Sequence, residues 1–340
     1  MNRFCPQLWD GVYINRAGNV YPCCHQNPVC LGNIRESRLA DLVNGGFALE
    51  ARRRSLNGTL DCYPSCTLLD KASIRRSGDE TPSVAYGRMR RLHVSFGEAC
   101  NIRCAMCSHP LRHARNPIVL DASIVIRNVE ITPFEEIVLQ GGEPLYVPAC
   151  SEYMSYLESV GKRYTLLTNG LLIDDATAER LARHAKIVSI SINGATKVTH
   201  ERVNRGSDFE RVLSSIETLR KARSRLGTDM MISGRMTLTP QNVHEIPQFL
   251  RTFRDLGIDR VNFGFVRETV PPFLAVKREL AAQLRREVSA TLIESGGEDV
   301  DVLRLHQLGL LDGAVTPYRP ALVPPQSEPD VPQQVLLAEL

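Results

Sequence analysis

Short apolar runs alternate with amphipathic segments through the middle of the chain. Apolar residues recur at helical spacing in Cys150 to Val160, Ala176 to His184, Phe209 to Arg225 and Val243 to Leu256. Runs rich in apolar and β-branched residues predict strands at Leu92 to Phe96, Glu136 to Gln140, Thr165 to Thr168, Ile187 to Ile192, Met231 to Thr237 and Arg260 to Phe265. Because alternating strands and helices are typical of a parallel sheet, we predict an α/β fold of six β/α units over residues 89–270.

The two ends of the chain do not follow this pattern. Residues 1–75 hold six cysteines among many turn-forming residues, which predicts a small domain stabilised by a bound metal. Residues 76–88 are polar at their start and are predicted to be a linker. Pro271 and Pro272 end the alternation, and Phe273 to Glu294 is predicted to be a helix. Within residues 271–340, the end of the chain from Asp312 onward is rich in Pro and polar residues, which favours a disordered tail or a surface extension.

The hydrophobic content, net charge and cysteine count indicate which classes of protein this sequence fits. The 340 residues are 43% hydrophobic, which supports a sizeable core, and the formal net charge of +3 is too small to indicate nucleic-acid binding. No targeting segment and no run long enough to span a bilayer is present, so we expect a cytoplasmic protein with no membrane and no nucleic-acid partner. In that reducing compartment, ten cysteines indicate metal or cluster ligation rather than disulfides.

Three cysteines follow the first predicted strand with the spacing C-x3-C-x2-C. They are Cys100, Cys104 and Cys107. Three thiolates this close can hold three irons of a four-iron cluster, and no fourth cysteine lies nearby to ligate the last iron. That iron would be open to another ligand. A zinc site is the alternative, although zinc normally takes four closed ligands and more often shows paired CxxC spacing.

This cysteine loop after the first strand resembles the core of the radical S-adenosylmethionine (SAM) enzymes. The resemblance implies a partial (β/α)6 TIM-type barrel with its site at the carboxyl ends of the strands. It also implies two cofactors, a [4Fe-4S] cluster and SAM, whose amino and carboxylate groups chelate the open iron. In the family, electron transfer to SAM breaks the sulfonium bond and yields a 5'-deoxyadenosyl radical.

Further motifs follow the later strands. Gln140 to Pro144 matches the GGEP motif, which in radical SAM enzymes contacts the methionyl amino group, although a plain turn is the alternative. Asn193 stands where relatives usually carry Asp, and Arg205 is the candidate for the SAM carboxylate, with a surface arginine as its alternative. The cofactor-binding residues that the resemblance implies are Gly141, Gly142, Glu143, Pro144, Thr168, Asn169, Ser191, Asn193 and Arg205. No catalytic side chain is assigned.

The N-terminal segment resembles the auxiliary-cluster domains called SPASM or twitch. The resemblance rests on Cys5, Gly18 to Cys24, Leu31 to Ile34 and Cys62 to Cys66. It implies a second [4Fe-4S] cluster that acts as an electron relay, ligated by Cys5, Cys23, Cys62 and Cys66. Cys24 is an alternative to Cys23, and a four-cysteine zinc site is an alternative to the cluster. The closing pair is C-x3-C, where relatives usually show C-x2-C.

The resemblance therefore implies an enzyme that cleaves SAM reductively and abstracts hydrogen from a peptide or natural-product substrate. An external electron donor such as flavodoxin or ferredoxin would supply the cluster. A second hypothesis is oxidation, dehydration or carbon-carbon coupling of an aminosugar or nucleoside. A third, outside catalysis, is an iron-sulfur or zinc-binding module without turnover.

Overall fold

The computed structural model describes residues 4–24, 29–62, 66 and 80–312. Within this part of the chain, two compact units are present. The first contains residues up to 100 and residues 108–164, and the second contains residues 101–107 together with the chain from residue 165 onward. The short loop over residues 101–107 is thus the part of the cysteine motif that belongs to the second unit.

The described ranges contain twelve strands and twelve α-helices. The strands are β1 (Gly11–Ile14), β2 (Asn19–Tyr21), β3 (Gly32–Asn33), β4 (Arg91–Ser95), β5 (Arg103–Cys104), β6 (Glu136–Gln140), β7 (Tyr164–Thr168), β8 (Ala185–Ser191), β9 (Asn204–Arg205), β10 (Met231–Leu238), β11 (Arg260–Phe265) and β12 (Val300–Asp301). The helices are α1 (Leu39–Leu42), α2 (Gly46–Leu56), α3 (His109–Arg115), α4 (Ala122–Asn128), α5 (Pro148–Ser159), α6 (Asp175–His184), α7 (Lys197–Val203), α8 (Phe209–Leu226), α9 (Ile246–Thr252), α10 (Val270–Val276), α11 (Arg278–Glu294) and α12 (Leu303–Gln307).

The sheet of the first unit has the strand order β6-β4-β1-β2-β3. β1 is parallel to β4, with Tyr13 opposite His93, and β4 is parallel to β6. β2 and β3 continue the sheet as an antiparallel meander. The first strand of the N-terminal segment is therefore part of the same sheet as the strand that leads into the cysteine motif.

The sheet of the second unit has the strand order β12-β11-β10-β8-β7, and β8, β10, β11 and β12 are parallel. α8 shows why these helices form, since Val212, Ile216 and Leu219 recur at helical spacing and are buried. Asp208 accepts a hydrogen bond from Arg211 N and caps the start of α8, and Gly227 ends it in the left-handed conformation. β5 and β9 form a separate antiparallel ribbon.

All six predicted strands are present, and the predicted α/β fold with a parallel sheet is confirmed. The bounds of β6 and β11 coincide with the prediction, and the other four strands differ from it by one or two residues at their ends. The sheet gains β12 beyond residue 270, which the apolar pattern did not predict. The boundaries of the predicted domains stay predictions.

Two predicted helices differ from the structure. The segment Val243 to Leu256 begins with a 3-10 turn, and its α-helix ends at Thr252. The single helix predicted over Phe273 to Glu294 is wrong, because α10 and α11 are separated at Lys277, whose φ of −88° and ψ of 59° are not helical. Pro271 and Pro272 lie in the first turn of α10, where their missing amide hydrogens cost no helical hydrogen bond. No helix among the described residues is both long and apolar enough to cross a bilayer.

Candidate functional site

Backbone pairing connects residues 101–107 to the other residues of the second unit. Cys104 lies opposite Asn204, and Arg103 lies opposite Arg205, in the β5–β9 ribbon. Ala105 N donates to Val203 O at 2.7 Å, and Cys107 N donates to Cys104 O at 3.0 Å. Arg205, the predicted partner of the SAM carboxylate, is exposed. It directly follows Asn204, the residue opposite Cys104.

Amide side chains at the ends of two strands make hydrogen bonds to the β5–β9 ribbon and to the residues just before it. Asn169, directly after β7, donates through Nδ2 to Asn101 Oδ1 at 2.7 Å. Asn193, two residues after β8, donates through Nδ2 to Asn204 Oδ1 at 2.7 Å. Of the predicted pocket residues, Asn169 is thus bonded to the cysteine loop, and Asn193 is bonded to β9, the strand that pairs with that loop. Thr168 Oγ1 accepts from Gly170 N at 3.0 Å, and Ser191 is the last residue of β8.

His200 is buried beside this network. Burial lowers its pKa to about 4, although the nearby charge of Glu201 acts in the opposite direction. Its Nε2 lies 3.0 Å from Ser207 Oγ and 3.3 Å from Asn204 Nδ2. The imidazole is therefore neutral near pH 7 and completes a network of uncharged groups.

The GGEP segment belongs to the first unit and lies against the residues that lead into Cys100. Gly142 N donates to Gly97 O at 3.0 Å, and Glu143 N donates to Ala99 O at 2.8 Å. A Cβ on Gly142 would be 2.1 Å from Ala99 O. Gly141 has a φ of +138°, and a Cβ there would be 2.4 Å from Gly97 O. Both positions therefore exclude any side chain.

Glu143 is only 1% exposed. Its Oε1 accepts from Leu145 N at 3.1 Å and so begins the 3-10 turn Pro144–Tyr146, in which Pro144 is buried. A carboxylate is a suitable partner for the ammonium group of SAM. By their chemistry, three thiolates suit a four-iron cluster with one iron open.

Sequence reasoning missed Glu98, which is buried two residues before Cys100. Its carboxylate lies 2.7 Å from Arg16 Nε and 2.5 Å from Arg112 Nη2. His109 lies beside it, and its Nδ1 is 2.8 Å from Gly141 O. Burial, and then the charge of Arg112, lower the pKa of His109. An acidic residue three positions after the end of β4 was the available signal.

Two of the predicted auxiliary ligands act electrostatically on a third. Burial, and then the negative charges of Cys66 and Cys62, raise the pKa of Cys5 to about 12. Deprotonated thiolates in such a place need cations, which irons would supply. Within the described ranges, no group of three or more His, Cys, Asp or Glu side chains is arranged to hold one metal ion.

Cys23 and Cys24 differ in their surroundings. Cys23 is half-buried, whereas Cys24 is buried. Burial raises the pKa of Tyr13, and the charge of Cys24 is the next largest cause, which places Cys24 close to β1. The choice of Cys23 over Cys24 as auxiliary ligand stays a prediction.

Two family models match the chain. The radical SAM superfamily matches residues 94–253, and SPASM, an iron-sulfur cluster-binding domain, matches residues 5–67. The first range contains the cysteine loop, the GGEP segment and the strand-end residues. The second contains all four predicted auxiliary ligands.

Individual relatives are more distant. An AdoMet-dependent heme synthase of Methanosarcina barkeri is 33% identical over 164 residues, 46% of this chain and 45% of that protein. A PqqA peptide cyclase of Gluconobacter oxydans is 25% identical over 171 residues, 48% of this chain and 46% of that protein. The chain thus spans about half the length of these curated relatives. A solved structure, native anSMEcpe with bound AdoMet, is 16% identical with a TM-score of 0.46, covering 64% of this chain and 66% of that chain.

The matched domains imply particular cofactors. A radical SAM domain implies a [4Fe-4S] cluster and SAM, and a SPASM domain implies an auxiliary iron-sulfur cluster. The chain therefore carries a radical SAM domain over residues 94–253 and an N-terminal iron-sulfur cluster-binding domain of the SPASM type over residues 5–67.

Proposed function

We propose that this protein is a radical SAM enzyme that abstracts hydrogen from a carbon of a peptide or natural-product substrate. When bound, the [4Fe-4S] cluster supplies the electron that cleaves SAM to methionine and a 5'-deoxyadenosyl radical. Cys100, Cys104 and Cys107 would hold this cluster. The observation that carries the proposal is the close fit of the GGEP segment against the residues that lead into Cys100.

The side chains of this chain would bind and orient SAM. Gly141 and Gly142 keep their segment free of side chains, and the buried carboxylate of Glu143 would receive the amino group. Arg205 would pair with the SAM carboxylate, with Thr168, Asn169, Ser191 and Asn193 lining the pocket. Asn169 and Asn193 already hold fixed hydrogen bonds, so their orientation would not change greatly when SAM binds.

We propose an auxiliary [4Fe-4S] cluster bound by Cys5, Cys23, Cys62 and Cys66. Four thiolates would leave no iron open, so this cluster would pass electrons rather than bind substrate. The electrostatic effect of Cys62 and Cys66 on Cys5 supports placing these three cysteines in one ligand set. An external donor such as flavodoxin or ferredoxin would reduce the protein in the cytoplasm.

The substrate class rests on the relatives. The PqqA peptide cyclase is named for a peptide, and the heme synthase for a heme product. A peptide or a natural-product precursor with an unactivated carbon-hydrogen bond is the substrate class that these names support. Incubation of a candidate precursor deuterated at the reacting carbon with SAM and dithionite, followed by mass spectrometry, would detect deuterium transferred to 5'-deoxyadenosine.

Reductive cleavage of SAM is the decisive test of the function. Protein reconstituted without oxygen should form 5'-deoxyadenosine when dithionite and SAM are added. A variant with Cys100, Cys104 and Cys107 all replaced by Ala should form none. Cys150→Ala removes a buried thiol that belongs to neither predicted ligand set and should behave as the parent does. Absence of 5'-deoxyadenosine from the cluster-loaded parent contradicts the proposal.

A further inference from the structure

Asn204 connects the cysteine loop to the end of β8. The residue is 0% exposed. Its backbone lies opposite Cys104 in the β5–β9 ribbon, and its side-chain Oδ1 accepts from Asn193 Nδ2 at 2.7 Å. One residue therefore lies opposite a predicted cluster ligand in the ribbon and bonds through its side chain to a predicted SAM-pocket residue.

The amide of Asn193 can adopt only one orientation. Thr237 N donates to Asn193 Oδ1 at 2.7 Å, and a backbone N–H can act only as a donor. The oxygen of Asn193 must therefore face Thr237, which leaves its Nδ2 to donate to Asn204. Asn242 Nδ2 also donates to Asn193 O at 3.0 Å and fixes the backbone of Asn193.

This geometry explains why Asn rather than Asp stands at position 193. An Asp could accept from Thr237 N, but it has no hydrogen to donate to Asn204 Oδ1. Asn204 could donate to an Asp only by turning its amide, and its oxygen would then face His200 Nε2, which would have to carry the hydrogen. An amide at position 193 therefore suits Asn204 Oδ1, which accepts a hydrogen bond from it.

The ribbon needs such an anchor. β5 and β9 are two residues long, and a two-stranded ribbon is only marginally stable without further support. The ribbon also places Arg103 and Arg205 opposite each other. Like charges on opposite residues weaken the pairing of the two strands. The buried side chain of Asn204 supplies a connection from this ribbon to the end of β8.

We propose that Asn204 is a positioning residue, which fixes the cysteine loop relative to Asn193 and so sets the geometry in which SAM meets the cluster. This inference rests on the proposed function. In this scheme Asn204 acts through its side-chain bond to Asn193 and through its place opposite Cys104.

The test compares Asn204→Ala with the parent in the cluster-loaded protein. The three thiols are intact in this variant, so iron and sulfide contents should match those of the parent. Affinity for SAM should fall about tenfold, the lower end of the effect of removing a supporting hydrogen bond around a metal site. The change that SAM causes in the electron paramagnetic resonance (EPR) spectrum of the reduced cluster should weaken in parallel. An unchanged affinity with an unchanged EPR response overturns the proposal.

A double-mutant cycle distinguishes an effect of Asn204 that is transmitted through Asn193 from a general destabilisation of the fold. If Asn204 acts through Asn193, the double variant Asn193→Ala/Asn204→Ala should lose no more SAM affinity than the weaker-binding single variant. Losses that multiply would show independent roles and overturn the proposal. Ser207→Ala is the matched control, because it removes a contact of His200 and leaves both contacts of Asn204 in place. Its EPR response to SAM should match that of the parent.

Two further measurements keep the outcomes distinct. If Asn204→Ala does not fold, Asn204→Ser keeps a polar group beside His200 in a smaller volume and is tested in the same way. A parent protein that holds a cluster at Cys100, Cys104 and Cys107 but does not bind or cleave SAM contradicts the proposed function. A parent that binds and cleaves SAM, with an Asn204→Ala variant that responds to SAM as the parent does, contradicts only the role of Asn204.

Discussion

Arg112 donates to Glu98 through two of its nitrogens, with Nε at 2.9 Å and Nη2 at 2.5 Å from the same carboxylate oxygen. Arg16 pairs with the other oxygen of Glu98. A buried carboxylate two residues before Cys100 is thus held between an arginine of the N-terminal segment and an arginine of α3. The start of the cysteine motif depends on residues distant from it in sequence.

Replacing Glu98 with Gln should destabilise the protein. The change leaves Arg16 and Arg112 with no carboxylate at a mostly buried position, and breaking a buried pair in this way costs about 3 kcal/mol. The free energy of unfolding, measured by denaturant titration, should fall by that amount. Glu217→Gln breaks exposed pairs on α8 instead and should leave the unfolding curve unchanged. Equal curves for Glu98→Gln and the parent would contradict the role of this carboxylate.

Replacing Gly142 with Ala should abolish most SAM cleavage. The added Cβ would meet Ala99 O at 2.1 Å, so the GGEP segment or the residues before Cys100 must move. A displacement of about 1 Å in a catalytic site can cost about a hundredfold in rate. The rate of 5'-deoxyadenosine formation checks this loss. Gly46→Ala is the matched control, since a Cβ at the start of α2 meets no atom within 4 Å; its rate should equal that of the parent.

The stability of the protein should fall as the pH falls from about 6.5 to about 4, partly through His200. Its pKa is about 4 in the folded protein and about 6.5 in an unfolded chain. The unfolded chain therefore binds the extra proton first, and the stabilisation by neutral His200 is complete above pH 6.5 and is lost below it. The full loss is about 3 kcal/mol.

His200→Gln removes this titration and should make the free energy of unfolding less dependent on pH across that window. Chemical denaturation at a series of pH values would measure the difference in slope between parent and variant. His306→Gln, which changes an exposed histidine, should follow the parent. A His200→Gln variant with the full slope of the parent would show that His200 is not the group that titrates.

Replacing Cys62 and Cys66 together with Ala should remove one cluster. Iron and sulfide should each fall from about eight to about four per chain, because each [4Fe-4S] cluster carries four of both. Cleavage of SAM at the remaining cluster should persist, while turnover of substrate should fall. Cys30→Ala, which removes a half-buried thiol near Gly32 O, is the control. One zinc lost in place of four irons would identify the site as structural.

Much of the fold could be predicted because the signals are local. Runs such as Glu136–Gln140 combine apolar residues with flanking turns, and α8 carries its own cap at Asp208 and its own stop at Gly227. Candidate site residues could be named because the motifs are continuous in sequence. Their contacts could not be predicted, since hydrogen bonds such as Asn193 to Asn204 depend on strand ends and loops that meet only in the folded chain.

The missed elements have a common cause. β5 and β9 are too short for any periodicity, and their residues Arg103 and Arg205 favour no strand. Glu98 gave a weak signal because its partner Arg16 lies in another part of the sequence. The break at Lys277 was missed because no Gly or Pro marks it between Phe273 and Glu294.

The parallel pairing of β1 with β4 has a practical consequence for anyone who shortens this protein. β4 lies between β1 and β6, so both of its hydrogen-bonding sides are occupied. Removing the N-terminal 75 residues would uncover the side that β1 covers and expose a row of unpaired amide and carbonyl groups. Such a row recruits other chains, so a truncated protein would be prone to aggregate before its chemistry could be assayed.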